Sequence, residues 1–261
     1  MLEINSLALY QLLASYLLPG VRILGVFTSA PLFANRNISA SIRITIGVLI
    51  TLIITPTLKP VVIDLLGWTG LLSLTQEFLI GLSIGFTMRL VFAAVELAGE
   101  LMSMTMGLGF ATFFDPQSQG NTSALSQLLS SILLLMFIAM DMHLLLLEIL
   151  VNSFQDIPLN SGGLQAEQFY SVAKMGRYIF MTGLQLALPV ITALLIINMT
   201  LGVLTKAAPQ LNLFGVGFPV TLMTGLIMFY MSFRYWQLPF MELLEQGLNL
   251  VAQLTHKFLS V

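Results

Sequence analysis

Apolar residues run along this chain in long blocks rather than in alternation. Six blocks approach or exceed membrane-spanning length: Leu7–Phe33, Ile44–Ile63, Leu71–Ala98, Leu125–Leu150, Tyr178–Leu204 and Leu213–Phe233. A hydrocarbon core about 30 Å thick needs about 20 helical residues to cross it. None of the blocks shows the period-two pattern of a strand. The pattern predicts an all-α integral membrane protein of about six long apolar, partly kinked helices, arranged as helical hairpins. The breaks between blocks carry turn and capping residues: Asn35-Arg36-Asn37, Pro56 to Pro60, Asp115-Pro116, Pro158 to Gly163, and Pro209-Gln210-Leu211-Asn212. The longest polar stretch, about Gln155 to Ser171, is too short to fold alone. Residues 1–261 therefore read as one membrane-associated domain.

Composition supports this. The chain is 57% hydrophobic and 8% charged, with a mean hydropathy of +0.94. Soluble domains carry about 25% charged residues, so this chain has too little charge to cover a water-facing surface. A net charge of -2 leaves no electrostatic footprint for nucleic acid. With no cysteine there is neither a disulfide nor a thiolate metal site. The N-terminal MLEINSLALYQLL lacks the basic stretch of a cleavable signal peptide, so the first block is expected to be retained.

Charge inside the blocks changes the picture from simple spanning. The first block holds Arg22; the third holds Glu77, Arg89 and Glu96, with Glu100 just beyond; the fourth holds Asp141, His143 and Glu148. A charge at mid-bilayer costs at least about 2.5–3.5 kcal/mol on insertion scales. Glu96 and Glu100 share a helix face, and Arg89 lies seven residues earlier on the same side. The fifth block is uncharged from Tyr178 to Thr205, 28 residues; that is roughly 42 Å if straight. Pro189 is predicted to kink it into two halves. With alternating spans and the N-terminus outside, Arg36, Arg43 and Lys206 fall on the cytoplasmic side and Lys59, Lys174, Arg177 and Lys257 on the other, which gives no orientation. Such helices are explained if neighbouring subunits bury them.

Several motifs have a chemical and a structural reading. Gly81-Leu82-Ser83-Ile84-Gly85 matches GxSxG, but a nucleophile elbow needs a strand before it and a helix after it. Inside a helical run, Gly81 and Gly85 form a small-xxx-small surface for close helix contact. Asp141 and His143 are two residues apart and diverge on a helix, which disfavours a proton relay or a metal pair. A small-molecule or proton-coupled transporter using Glu96, Glu100 and Asp141 near the midplane is the alternative from another functional class. Between Leu204 and Pro219, Pro209 stops a helix, Gln210 and Asn212 offer partners to freed backbone groups, and Gly215, Gly217 and Pro219 break the next helix start.

The least ordinary stretch is Gly107 to Pro116, GLGFATFFDP, preceded by Met102, Met104 and Met106. No Lys or Arg occurs between Arg89 and Lys174. A connecting loop is normally polar because its backbone meets water. Here Phe110, Phe113 and Phe114 stand among Gly107 and Gly109. Met and Phe together make a deformable apolar surface, suited to closing around itself and re-packing around a passing chain.

Four blocks resemble the FliR family, the flagellar export-gate proteins with SctT-type counterparts in type III secretion. They are APLFANRNISASIRI, with Pro31 and Arg43; AGELMSMTMGLGFATFFDP, Ala98 to Pro116; His143 leading to Ser153-Phe154 and Pro158; and LALPVITALLIINMTLGVLTKAAPQLNLFGVGFP, Leu186 to Pro219. Where the family commonly has a glycine before the histidine, this chain has Asp141-Met142. The resemblance implies a non-enzymatic subunit without cofactor, present in one copy beside FliP and FliQ subunits in the bacterial inner membrane at the flagellar basal body. It implies a FliP-like part over 1–170, with a central plug loop at about 99–120, and a FliQ-like hairpin over 171–261. It further implies contact with an FlhB-like switch protein and passage of unfolded flagellar subunits. On this reading Phe110, Phe113 and Phe114 plug the pore, supported by Met102, Met104, Met106, Gly107 and Gly109. Arg22, Arg43, Arg89, Glu96, Glu100, Asp115, His143, Gln210 and Asn212 make polar assembly contacts, and Pro189, Pro209 and Pro219 break helices.

Overall fold

The computed structural model describes residues 6–35, 38–60, 63, 65, 67–108, 123–159, 166–208, 215 and 217–256. Every regular element among them is helical. In chain order they are α1 (Ser6–Ser29), α2 (Ala40–Ile54) with a 3-10 turn at Thr55–Thr57, α3 (Trp68–Thr105), α4 (Ala124–Ala139), α5 (Met142–Asp156), α6 (Ala166–Ala207), α7 (Phe218–Phe233) and α8 (Gln237–His256).

Four helical stretches are long and apolar enough to cross a bilayer: Tyr10–Ser29, Ala40–Thr57, Trp68–Thr105 and Val172–Ala207. The pair α4–α5 makes a fifth if taken as one bent span. The sixth apolar block forms a shorter helix of 16 residues, α7, which Pro219 opens in its first turn, where a missing N–H costs nothing.

Three boundaries differ from the hydropathy reading. Helix α3 continues to Thr105, so the segment expected to be a loop from about 99 is helical for its first seven residues. Its 38 residues span about 57 Å. The fourth block is not one rod. It breaks at Asp141, which takes a left-handed backbone with φ 55° and ψ 19°. Few non-glycine residues adopt this conformation, and a short polar side chain suits it best. Pro189, by contrast, does not divide the fifth block: α6 is continuous over 42 residues, about 63 Å, with Pro189 inside it. Pro189 instead lines an open apolar groove of about 420 Å³ with Leu186, Met228, Met231 and Trp236.

Helix α8 was not visible as an apolar block because charge interrupts it. Its buried residues Phe240, Leu243, Leu244, Leu248 and Val251 recur at helical spacing, while Glu242, Glu245, Asn249 and Gln253 are exposed.

The chain forms two compact units. The first comprises residues 1–90, 137–175 and 245–261; the second comprises 91–136 and 176–244. In the first, α1 crosses α3 at close range. A Cβ on Gly81 would meet the carbonyl of Arg22, and one on Gly85 would meet Ser29. A Cβ on Gly25 would lie 2.7 Å from the Phe78 carbonyl. Small residues at i and i+4 thus bring the two backbones together. Ser29 Oγ also donates to the Leu82 carbonyl at 3.2 Å.

Candidate functional site

Two polar junctions organise the apolar helices. The first, in the first unit, centres on Arg22. This side chain is fully buried in α1, yet each of its nitrogens has a partner. Nε donates to Glu77 Oε2 of α3 at 2.6 Å. Nη1 donates to the Ser153 carbonyl at 2.8 Å and to its hydroxyl at 3.2 Å. Nη2 donates to the Ile157 carbonyl at 2.9 Å. The Phe154 ring lies under the guanidinium, 4.4 Å from its carbon. Ser153 and Ile157 lie at the C-terminal end of α5, where the helix dipole favours a cation; the Ser153 carbonyl also accepts the Ile157 N–H at 2.9 Å. One planar fork therefore ties α1 to α3 and caps α5 as well, a geometry that lysine cannot reproduce.

The second junction, in the second unit, surrounds the end of α3. Helix α3 closes with a Schellman motif: Leu108 N–H donates to the Ser103 carbonyl at 3.0 Å and Gly107 N–H to the Met104 carbonyl at 3.1 Å. Gly107 has φ 82°, the left-handed value this cap needs. Helix α4 opens on Ser123, whose hydroxyl accepts from Ser126 N–H at 3.2 Å. The carboxylate of Glu100 accepts from Ser123 N–H at 3.1 Å. Ser126 Oγ donates to the Glu96 carbonyl at 2.7 Å, and Ser130 Oγ to the Glu96 carboxylate at 3.2 Å. Glu96 and Glu100, two of the three carboxylates that suggested a transport relay, are therefore engaged by the start of α4, whereas Asp141 is exposed at the break before α5.

The expected methionine cluster divides. Met102 and Met106, one helical turn apart, are fully buried, whereas Met104 is 65% exposed. Met106 packs against α7 at Gly225. Spacing of two places a residue on the opposite side of a helix from its neighbours, so the three do not form one surface. Arg43 is half-buried in α2, with its Nε unpartnered among the described residues. Arg89 is exposed on α3. His143 is half-buried after the Asp141 break, its Nδ1 likewise unpartnered among the described residues. Ser83 sits within α3 and donates to the Leu79 carbonyl at 2.8 Å, without the strand-turn-helix of a nucleophile elbow. Gly109, Phe110, Phe113, Phe114, Asp115, Pro209, Gln210 and Asn212 lie outside the described residues.

Sequence reasoning noted Glu77 as a charge in an apolar run without assigning it to Arg22, and it gave no role to Ser123, Ser126 or Ser130. Opposite charges in separate apolar blocks were the available signal for the first pair. The serines, at i, i+3 and i+7, mark one helix face, a pattern that polar loops also show by chance.

This architecture defines an integral membrane protein, all-α, whose intrahelical charges are used to join helices. Residues 13–247 match the family described as bacterial export proteins, family 1, and the chain belongs to that family. It is 40% identical over 227 residues to the flagellar biosynthetic protein FliR of Pectobacterium carotovorum subsp. carotovorum, covering 87% of each chain. It is 38% identical to the FliR of Escherichia coli (strain K12), again over 87% of each. Similarity to the FliR of Bacillus subtilis (strain 168) is 31% over 85% of this chain and 86% of that one.

Proposed function

We propose that this chain is the FliR-type subunit of a flagellar protein-export gate, present in one copy with FliP and FliQ subunits in the bacterial inner membrane. Membership of the export family along nearly the whole chain is the observation that carries this reading. Its role is structural and gating rather than enzymatic. Residues 1–170 take the FliP-like place in the assembly and 171–261 the FliQ-like place. The gate passes unfolded flagellar subunits, and the FlhB-like switch protein engages it from the same complex.

Within that role, the segment after Gly107 serves as the pore plug, through Phe110, Phe113 and Phe114. Both of its ends are anchored on α3, one by the Schellman motif at Gly107 and one by the Glu100–Ser123 hydrogen bond. Anchoring at a helix end lets a short apolar segment occupy one position without a domain of its own. Deleting residues 109–114 is expected to leave the FliP- and FliQ-containing complex assembled while the membrane leaks ions and small molecules. An assembled complex with the segment deleted and no added leak refutes the plug.

A further inference from the structure

We infer that the groove between α6 and α7 binds an anionic phospholipid, with one acyl chain along the groove and the phosphate against Arg234; this goes beyond the export reading and does not depend on it. At about 420 Å³ the groove falls within the usual size of a ligand site, about 300–1,000 Å³. Its walls are Leu186 and Pro189 of α6 and Met228 and Met231 of α7, and among the described residues no Asp, Glu, Lys or Arg lines it. Trp236 is buried at its back and held by three rings. Phe240 stacks on it at 6.2 Å, while Phe229 and Phe233 stand T-shaped to it at 5.2 and 6.4 Å. Met231 and Tyr235 are exposed and leave the rim open.

Size selects the occupant. A helix with its side chains is about 10 Å across, so the groove would hold only about one turn of a partner helix. An acyl chain, one methylene across, fits it, and unbranched methionine side chains adapt to a chain of variable conformation. Position and charge select the headgroup. Helix α7 is uncharged along its 16 residues, about 24 Å, and so falls short of a hydrocarbon layer of about 30 Å. Its two ends differ: Gly217-Phe218-Pro219 opens it, and Arg234-Tyr235-Trp236-Gln237 follows it. Arginine with Tyr and Trp marks the membrane–water interface, so the C-terminal end is the one at the headgroups. Arg234 is exposed there and has no ion pair among the described residues. Met228 lies six residues before Arg234, about 9 Å along the axis. The groove thus starts at headgroup level and runs into the acyl layer, the course of a phospholipid whose phosphate meets Arg234. With no carboxylate lining the groove to offset this cation, an anionic headgroup is favoured.

Lipid binding is read by tryptophan quenching in the complex as purified, reconstituted with phosphatidylglycerol or phosphatidylcholine brominated at mid-chain. The chain has two tryptophans, Trp68 and Trp236, and the Trp236→Phe complex supplies the blank that isolates the Trp236 signal. Trp236 should be half-quenched at a mole fraction of brominated phosphatidylglycerol about fivefold lower than of brominated phosphatidylcholine, the preference that one cation at the headgroups confers. Arg234→Gln should abolish that preference. Met228→Phe, which fills the groove, should reduce quenching by both lipids. Three results each overturn the site: equal quenching of the parent by the two lipids, no quenching by either because a partner helix covers the groove, or a Met228→Phe complex quenched as fully as the parent. If Trp236→Phe does not assemble, the parent and Arg234→Gln complexes are compared directly, because their tryptophans are the same. Loss of the phosphatidylglycerol preference in Arg234→Gln then supports the site, and an unchanged preference overturns it.

Discussion

Removing Glu77 alone should destabilise the first unit more than replacing Glu77 and Arg22 together. Arg22 is fully buried and Glu77 is 2% exposed. Glu77→Ala leaves a guanidinium with no counter-charge where water cannot reach it, and breaking a buried pair in this way costs about 3–5 kcal/mol. In the double variant Arg22→Met/Glu77→Met no charge remains, and the methionine side chains refill the volume. Two carbonyls then lose the guanidinium. That of Ser153 keeps the Ile157 N–H at 2.9 Å, whereas that of Ile157 loses its Nη2 donor. One orphaned carbonyl costs about 1–3 kcal/mol. For a chain of this size 1 kcal/mol corresponds to about 2–4 °C in Tm. The single variant should therefore fall by roughly 6–20 °C and the double variant by roughly 2–12 °C. The assay is thermal unfolding of the detergent-solubilised export complex, followed by loss of the monodisperse peak and calibrated against expression level in membranes. A Glu77→Ala complex within about 1 °C of the parent, or a double variant less stable than Glu77→Ala, refutes the reasoning.

Two further outcomes follow from backbone geometry. Gly81→Ala should prevent normal accumulation of the protein, because its methyl meets the Arg22 carbonyl, whereas Gly176→Ala and Gly202→Ala have nothing within 4 Å of the new methyl and should be neutral or stabilising by about 0.5–1 kcal/mol; membrane immunoblots and Tm separate the two classes. Asp141→Gly should be neutral or stabilising, and Asp141→Val destabilising by about 1–2 kcal/mol, because φ 55° strains a β-branched residue; equal Tm values for the two variants would contradict the left-handed turn.

Much of the fold was legible because lipid-length apolar runs leave few alternatives to helices. The close crossing at Gly81 and Gly85 was legible for a related reason: glycine spaced by four has one common use between apolar helices. The break at Asp141 was not, since hydropathy stays high across Leu125–Leu150 and a single left-handed residue is enough to end a helix. Pro189 misled in the opposite direction. A long helix with packing on its flanks tolerates one missing hydrogen bond, and α6 runs through it. Periodicity alone separates Met104 from Met102 and Met106, yet their alternation in sequence reads as a run. The pairing of Arg22 with Glu77, 55 positions apart, is long-range packing information that neither residue carries locally.

Two of the three carboxylates of helix α3 carry one further consequence. Glu77 and Glu100 are 23 positions apart on one continuous helix, about 34 Å along its axis. A tilt of about 20°, the average for membrane helices, shortens that to about 32 Å. The hydrocarbon layer is about 30 Å thick. Short of a tilt near 30°, a straight helix crossing that layer does not keep both charges among lipid tails. Ionic strength reaches a charge at the headgroups and hardly touches one buried in protein among lipid tails. A single unbroken helix thus carries one carboxylate sealed inside protein, Glu77, and one only partly covered, Glu100.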